Sequence, residues 1–280
     1  TTYDREKWKL AMDAAEAAIQ LSEKTGQNGG KQNYYLYTNI DSTLDEFEQG
    51  VKNYHGTFVD QLWNGEEFIM AKGAETGIQN IQRYGGPRSI AGDMSKGWKT
   101  TCVPTMEAVE MYYTKNGLPW EDDPETKDID PLAYNKAAGT VEMHLHKEPR
   151  FYASVGYDRG TYRFNGGKMT IKAHKGEPQG FTGSYDNEYQ SYNGYFCQKW
   201  VNEQSKMTLN SSGNYSVSTY MSYVFPYMRI AELYLSYAEA DFEYDGTLSD
   251  YGYECLNKIR SRCGLPTFQD SWSRAGGIPS

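Results

Sequence analysis

Residues 229–240 read RIAELYLSYAEA, and within them Ile230, Leu233, Tyr234, Tyr237 and Ala238 recur at i, i+3, i+4, i+7 and i+8. A stripe with that period is one face of an amphipathic helix, and it can be hidden from water only against another packed element. The stretch LNKIRSRCGLP follows at 256–266, offering Tyr253, Leu256, Ile259 and Arg260 on a second face. The spacing therefore predicts helices over 226–243 and 250–262, joined by the turn EYDGTLSD and closed by Gly264 and Pro266. Arg229 and Glu232 are expected to make local charge contacts at the start of the first helix.

Residues 4–25 predict a third helix, with Asp4 as its cap, Gly26 as its stop, and Trp8, Ala11, Ala15, Ala18 and Ile19 near helical spacing. Alanines at the contact positions allow a neighbouring helix to come close, as paired-helix arrays require, although no second full copy recurs at a fixed period. A shorter helix is expected at 104–115, started by Pro104 and Thr105. Between these, 26–105 reads as mostly irregular, with EEFIMA at 66–71 as a strand or a buried extended turn. Residues 139–156 read as the approach to a short strand. The Gly-, Tyr-, Asn- and Ser-rich stretch 157–223 reads as a long loop, functional or disordered, broken by FCQKWV.

Composition narrows the partners. A net charge of −9 disfavours nucleic acid and anionic membrane, and no apolar run reaches a membrane span. Tyrosine is used 25 times. Buried rings need a partner for each hydroxyl, so part of this excess is expected on surfaces that bind something amphipathic. Cysteines stand at 102, 197, 255 and 263. On one helix Cys255 and Cys263 would lie about 12 Å apart, too far for a disulfide, and free buried thiols are expected. His144 and His146 would share one side of a strand with Glu142 and Glu148. That is metal-ligand chemistry, but two histidines in a polar strand are expected to be solvated. The acidic loop EDDPETKDID at 121–130 lacks EF-hand spacing and is expected to be solvated too. Neither a metal nor any other cofactor is expected.

The order of the short motifs says more than their periodicity. RIAELYLSYAEADFEYDG…LNKIRSRCGLP resembles the C-terminal helical signature of the SusD/RagB family. WKLAMDAAEAAIQL is similar to that family's central Trp/Ala helix, and EEFIMA to the element after it. VPTMEAVEMYYTKNGLP, EPRFYASVGYDRGTY and NGYFCQKW resemble three further family segments, all in family order. Two positions depart from the pattern: Glu148 stands for the Asp before Pro-Arg-Phe, and Asn116-Gly117 for Asp-Gly. The resemblance implies one mainly α domain over 1–280, with tetratricopeptide-like helix pairs, long irregular loops and a few short strands. Family members are longer, so the family's N-terminal helical repeats, extreme C-terminus and N-terminal lipid anchor are expected to lie outside this chain.

The resemblance further implies a non-catalytic, surface-exposed lipoprotein of the outer membrane. Such a protein binds an oligosaccharide or polysaccharide, or in some relatives a peptide, and passes it to a SusC-like TonB-dependent transporter. A sugar ring needs a flat aromatic face and polar edges. Tyr84 and Trp98, with Arg83, Arg88 and Asp93, form the first candidate, although Trp98 could instead pin its loop to the core. Tyr157, Tyr162, Tyr185, Tyr189 and Tyr192 form the second. A glycoside hydrolase or lyase on a helical scaffold is the competing class. Glu66, Glu67, Asp93 and Asp122 could supply its carboxylates, but none sits in a catalytic motif. A helical-repeat scaffold for protein partners would leave the Tyr/Gly loops unexplained.

Overall fold

The computed structural model describes residues 3–23, 34–61, 66–73, 76–87, 100, 102–164, 167–180, 191–209 and 215–278. Helix outweighs strand, and the chain divides into two compact units. The first comprises residues 1–57, 61–72 and 224–280; the second comprises 58–60 and 73–223.

In the first unit α1 (Arg5–Glu23) packs along α6 (Ile230–Asp245), and α6 packs on α7 (Asp250–Arg262). All five stripe residues of α6 are buried, in one cluster with Ala15 and Ile19 of α1 and Cys255 and Ile259 of α7. The hairpin between α6 and α7 is locked by local bonds. Gly246 takes the left-handed conformation that ends α6, at φ 74. The Ser249 hydroxyl caps α7 by accepting from the Gly252 N–H, while Ser249 donates from N–H and hydroxyl to Asp241, both at 2.7 Å. The buried face of α7 is Gly252, Cys255, Ile259 and Arg262, which displaces the expected Tyr253–Leu256 face to partial exposure. Gly252 allows this because a Cβ there would collide with the Asp241 carboxylate.

Three sequence expectations change here. Residues 225–229 are strand, not helix: β10 (Phe225–Arg229) pairs antiparallel with β1 (Phe68–Lys72), and Pro226 is tolerated because the sheet has only two strands. The stretch 26–105 contains α2 (Glu46–Val59) and α3 (Thr76–Gly85). In α2, Phe47, Val51, Tyr54 and Phe58 do keep helical spacing, but Gly50, Asn53, Gly56 and Thr57 dilute the signal. Gly50 marks close packing, because a Cβ there would run into the Cys263 carbonyl beyond the end of α7. Finally, Arg229 is not held by Glu232 alone, at 3.4 Å.

Its stronger partner is Glu67, which is fully buried. Arg229 donates to one carboxylate oxygen at 2.9 Å, and Arg262 to the other at 2.8 Å. The Tyr37 N–H adds a third donor at 2.9 Å, and Arg262 also donates to Thr57 Oγ1 at 2.9 Å. Two arginines in motif positions far apart in sequence thus converge on one acid. A buried ion-pair group of this kind adds little net stability over apolar packing, but removing one member leaves uncompensated charge.

The second unit is built from small pieces. Beside α3 and the short helices α4 (Met106–Glu110) and α5 (Pro149–Ser154), its described strands form only two-stranded pairs. These are β2 (Tyr134–Asn135) with β3 (Thr140–Val141), and β4 (Val155–Gly156) with β7 (Phe196–Cys197). The others are β5 (Thr161–Phe164) with β6 (Gly167–Thr170), and β8 (Lys206–Leu209) with β9 (Tyr215–Thr219). Isolated pairs are marginal in water, and clusters rich in aromatic rings pack on β4–β7 and β5–β6. Phe151 is the hub of one, with Tyr112, Tyr152 and Tyr157 around it. Thr105 caps α4 as expected, yet that helix stops at Glu110 because the chain turns to bridge Thr114 with Lys147.

The 139–156 segment is mostly not extended. Residues 142–145 form a 3-10 turn that buries His144 between Thr140 Oγ1 at 2.7 Å and the Tyr195 hydroxyl at 2.9 Å. His146 instead lies half-buried, 3.4 Å from Glu142. Glu148, at the departed family position, is buried and accepts from Arg150 and the Tyr113 N–H. Asp123 is buried too, the exception in an acidic loop whose other carboxylates are exposed or partly exposed. It accepts from Thr114 at 2.5 Å, Asn116 at 3.0 Å and the Glu125 N–H at 2.9 Å. Asn116 therefore has a partner that an aspartate could not bond without sharing a proton.

Candidate functional site

The sequence-derived candidates scatter. Trp98, Arg88, Asp93, Tyr185 and Tyr189 lie outside the described residues. Arg83 and Tyr84 end α3 half-buried, and the Tyr84 carbonyl accepts from the Cys102 N–H at 3.0 Å. Tyr157 is half-buried, its ring 4.8 Å from His144 and 5.3 Å from Phe151, and burial pushes its hydroxyl up to about 12. Tyr162 requires a correction. It is 0% exposed, packed with Phe164, Ile171, Phe196 and Val201, so its ring has no face to offer a ligand. The alternation of β5 turns Tyr162 and Phe164 inward and leaves Thr161 and Arg163 outside. Tyr192, by contrast, is 63% exposed.

A different set converges. Tyr134 begins the β2–β3 hairpin, whose turn is shaped by Asn135: its side-chain oxygen accepts from the Ala137 and Ala138 N–H groups, and its amide donates to Glu142. Gly139 closes the turn at φ 73, and the missing Cβ leaves room for the stem of Arg159. Arg159 sits at φ 67, unusual for a side chain of its size. The turn holding it is fixed by Arg159 N–H to Ile171 O and Gly160 N–H to Tyr157 O, both 2.9 Å. From there its guanidinium reaches Glu177 at 2.8 Å, His174 Nδ1 at 3.4 Å and Asp158 at 3.7 Å. His174 Nε2 lies 2.8 Å from Asp158, and the His174 N–H donates to Glu177 at 3.0 Å.

Tyr134 stands over this network with its ring centroid 6.0 Å from that of His174, and it is 54% exposed. Arg159 holds the Glu177 carboxyl below its usual range and is itself pushed up by the same bond. Glu177 therefore stays ionised at neutral pH and is no general acid. The arrangement offers a flat ring beside fixed charged donors and acceptors, which suits hydroxyl-rich ligands better than bond cleavage.

Glu67, one of the carboxylates considered for hydrolysis, is sealed between two arginines. A shallow cavity of about 440 Å³ lies in the helical unit beside Leu36, Gln49, Asn53 and Arg262. Three of its polar side chains are already committed: Gln49 donates to Asn39 O and Asn53, Asn53 to Arg262 O, and Arg262 to Glu67. Among the described residues no three His, Cys, Asp or Glu side chains are arranged to hold a metal ion, and no helix is long and apolar enough to cross a membrane.

Sequence reasoning missed the converging set. Asp158 and Arg159 lie in the YDRG turn, His174 and Glu177 in HKGE, and Tyr134 forty residues earlier. No local pattern links them, and only the unusual Arg in a YDRG turn was a signal.

The SusD family model matches residues 66–276. Among solved structures, BT4246 superposes with a TM-score of 0.72 at 23% identity, covering 95% of this chain and 46% of that one. A SusD-like protein, BF3747, from Bacteroides fragilis gives 0.61 at 19%, over 95% and 45%. A SusD-like carbohydrate binding protein, BF0978, from the same species gives 0.55 at 19%, over 92% and 41%. The chain thus spans less than half the length of the structures it matches. No curated protein sequence matches it.

Proposed function

Because the chain belongs to the SusD family, we propose that it is part of a cell-surface protein that binds a glycan without cleaving it. The family match over residues 66–276 carries this reading. It is supported by a structural neighbour described as carbohydrate binding. On the same reading the whole protein is a lipoprotein of the outer membrane, anchored through a lipid, that hands its ligand to a SusC-like TonB-dependent transporter.

We place the ligand face at Tyr134, with Arg159, His174, Asp158 and Glu177 around it. A pyranose face would stack on the exposed ring while its hydroxyls exchange hydrogen bonds with the charged groups. The segment carrying Arg83, Tyr84, Arg88, Asp93 and Trp98 is a second proposed contact. Glycan and peptide arrays identify the ligand, and calorimetry then measures it. Truncating an aromatic at the centre of a site costs about 2 kcal/mol, roughly thirtyfold in affinity. Tyr134→Ala is expected to weaken glycan binding by that factor. Unchanged affinity in Tyr134→Ala with a loss in Trp98→Ala would move the face to the second contact. Binding of peptides alone would replace the glycan reading, and new reducing ends would replace it with hydrolysis.

A further inference from the structure

The thiols of Cys102 and Cys197 touch: they share a side-chain hydrogen bond, although 94 residues separate them in the chain. Two backbone contacts bring them together at the end of α3. The Cys102 N–H donates to the Tyr84 carbonyl at 3.0 Å. The next residue, Gly85, lies so close to β7 that a Cβ there would be 2.9 Å from the Cys197 oxygen and 3.4 Å from the Cys197 Cβ. Glycine at 85 is therefore what admits Cys197 to this position. The two cysteines differ in access, Cys102 being exposed and Cys197 only partly so. The other two, Cys255 and Cys263, are buried.

The geometry points to a redox-active pair, in which Cys102 is the attacking thiol, Cys197 the resolving thiol, and the product a disulfide between them. The chemistry follows from access and proton position. The hydrogen bond from Cys197 lowers the Cys102 thiol to about 6, whereas the same bond and burial push Cys197 well up. The other titratable groups within electrostatic reach of Cys197 are Lys199 and the hydroxyls of Tyr112, Tyr162 and Tyr223. Cys102 is thus largely thiolate at neutral pH, accessible and beside a second thiol, the combination that marks oxidation-sensitive cysteines.

The oxidant is a small-molecule or protein disulfide. The Cys102 thiolate attacks one of its sulfurs, forms a mixed disulfide and expels one thiolate. Cys197 then loses its proton to water and attacks the Cys102 sulfur, expelling the second thiolate. Two protein thiols and one disulfide become one protein disulfide and two thiols. The crosslink would fix Cys102, and with it the Tyr84 end of α3, to β7.

The test is incubation of the purified, reduced protein with oxidised glutathione at pH 7, followed by peptide mass mapping without reduction. The expected result is a 102–197 crosslink in the wild type, with Cys255 and Cys263 still alkylatable. In Cys197→Ser, glutathione should instead remain attached at Cys102, because nothing resolves the mixed disulfide. Cys102→Ser should take up no glutathione at Cys197. Persistent glutathione at Cys102 in the wild type, or no reaction at Cys102 at all, overturns the pairing. So does a crosslink to any other cysteine. The wild-type map decides the question by itself should either serine variant fail to fold.

Discussion

The two units spend aromatic and charged residues in opposite ways. In the helical unit the motif residues are consumed by architecture. The tyrosines of YAEA and its neighbours pack between helices, with Tyr237 and Tyr251 in edge contact at 4.8 Å. Arg229 and Arg262 both close on Glu67. In the second unit short hairpins rest on aromatic clusters, and charged side chains are left to gather in the turns between them, around Arg159. The contrast teaches that the motif letters of the helical unit hold its scaffold, while the proposed ligand face gathers residues from separate turns of the second unit.

The contrast breaks first, if it breaks, at Glu67. Glu67→Ala leaves two buried or partly buried guanidinium groups without their acid, and should cost about 3–5 kcal/mol in urea unfolding. A loss below about 1 kcal/mol would mean that the node is incidental to the helical unit. His144 tests the second unit by pH. Burial, with Lys147 nearby, pushes it down from 6.5 to about 4. Its folded pKa lies below the unfolded one, so its contribution is complete above pH 6.5 and is lost as pH falls towards 4. The loss should reach about 3 kcal/mol, read as the change in stability between pH 7 and 4. His144→Gln should flatten that slope by the same amount, and an unchanged slope would show that carboxylates dominate it.

Gly50→Ala sharpens the scaffold side. The new methyl meets the Cys263 backbone rather than a yielding side chain, and about 1–3 kcal/mol should be lost in thermal unfolding. Tyr134→Ala should mark the other extreme, leaving stability within about 0.5 kcal/mol while affecting binding. A large drop in Tm for that variant would make Tyr134 a packing residue and remove the distinction between the units.

Legibility in the sequence followed the same division. The α6 stripe, the strand at EEFIMA, the Thr105 cap and the αα-hairpin could be read because each is encoded within a dozen residues. The second half of EEFIMA's role could not, since the partners of Glu67 lie at 229 and 262. Helix α2 was obscured because its interior polar residues bond inside the protein, as Asn53 does to Arg262 O. The register of α7 was misplaced by one turn position because Gly252, with no side chain to count, faces the core. Tyr162 read as an available ring because composition does not reveal which side of a four-residue strand is inside. The Arg159 cluster showed only its YDRG arginine, because its members come from separate places at 134, 158–159 and 174–177.

The Glu67 node has a consequence in time. A chain leaves the ribosome from its N-terminus at about 5–20 residues per second, so Glu67 precedes Arg262 by roughly 10–40 s at that rate. Until Arg229 and β10 emerge, the acid has neither of its arginines and β1 has no strand to pair with, whereas residues 73–223 emerge complete. The α1–α6, strand–strand and ion-pair contacts of the helical unit all join distant parts of the chain, 240 positions apart for Arg5–Asp245 and 195 for Glu67–Arg262, the kind that closes late because chain entropy must be overcome first. Nascent chains are thus expected to reach protease resistance in residues 73–223 before the helical unit, which assembles only as its final helix is delivered.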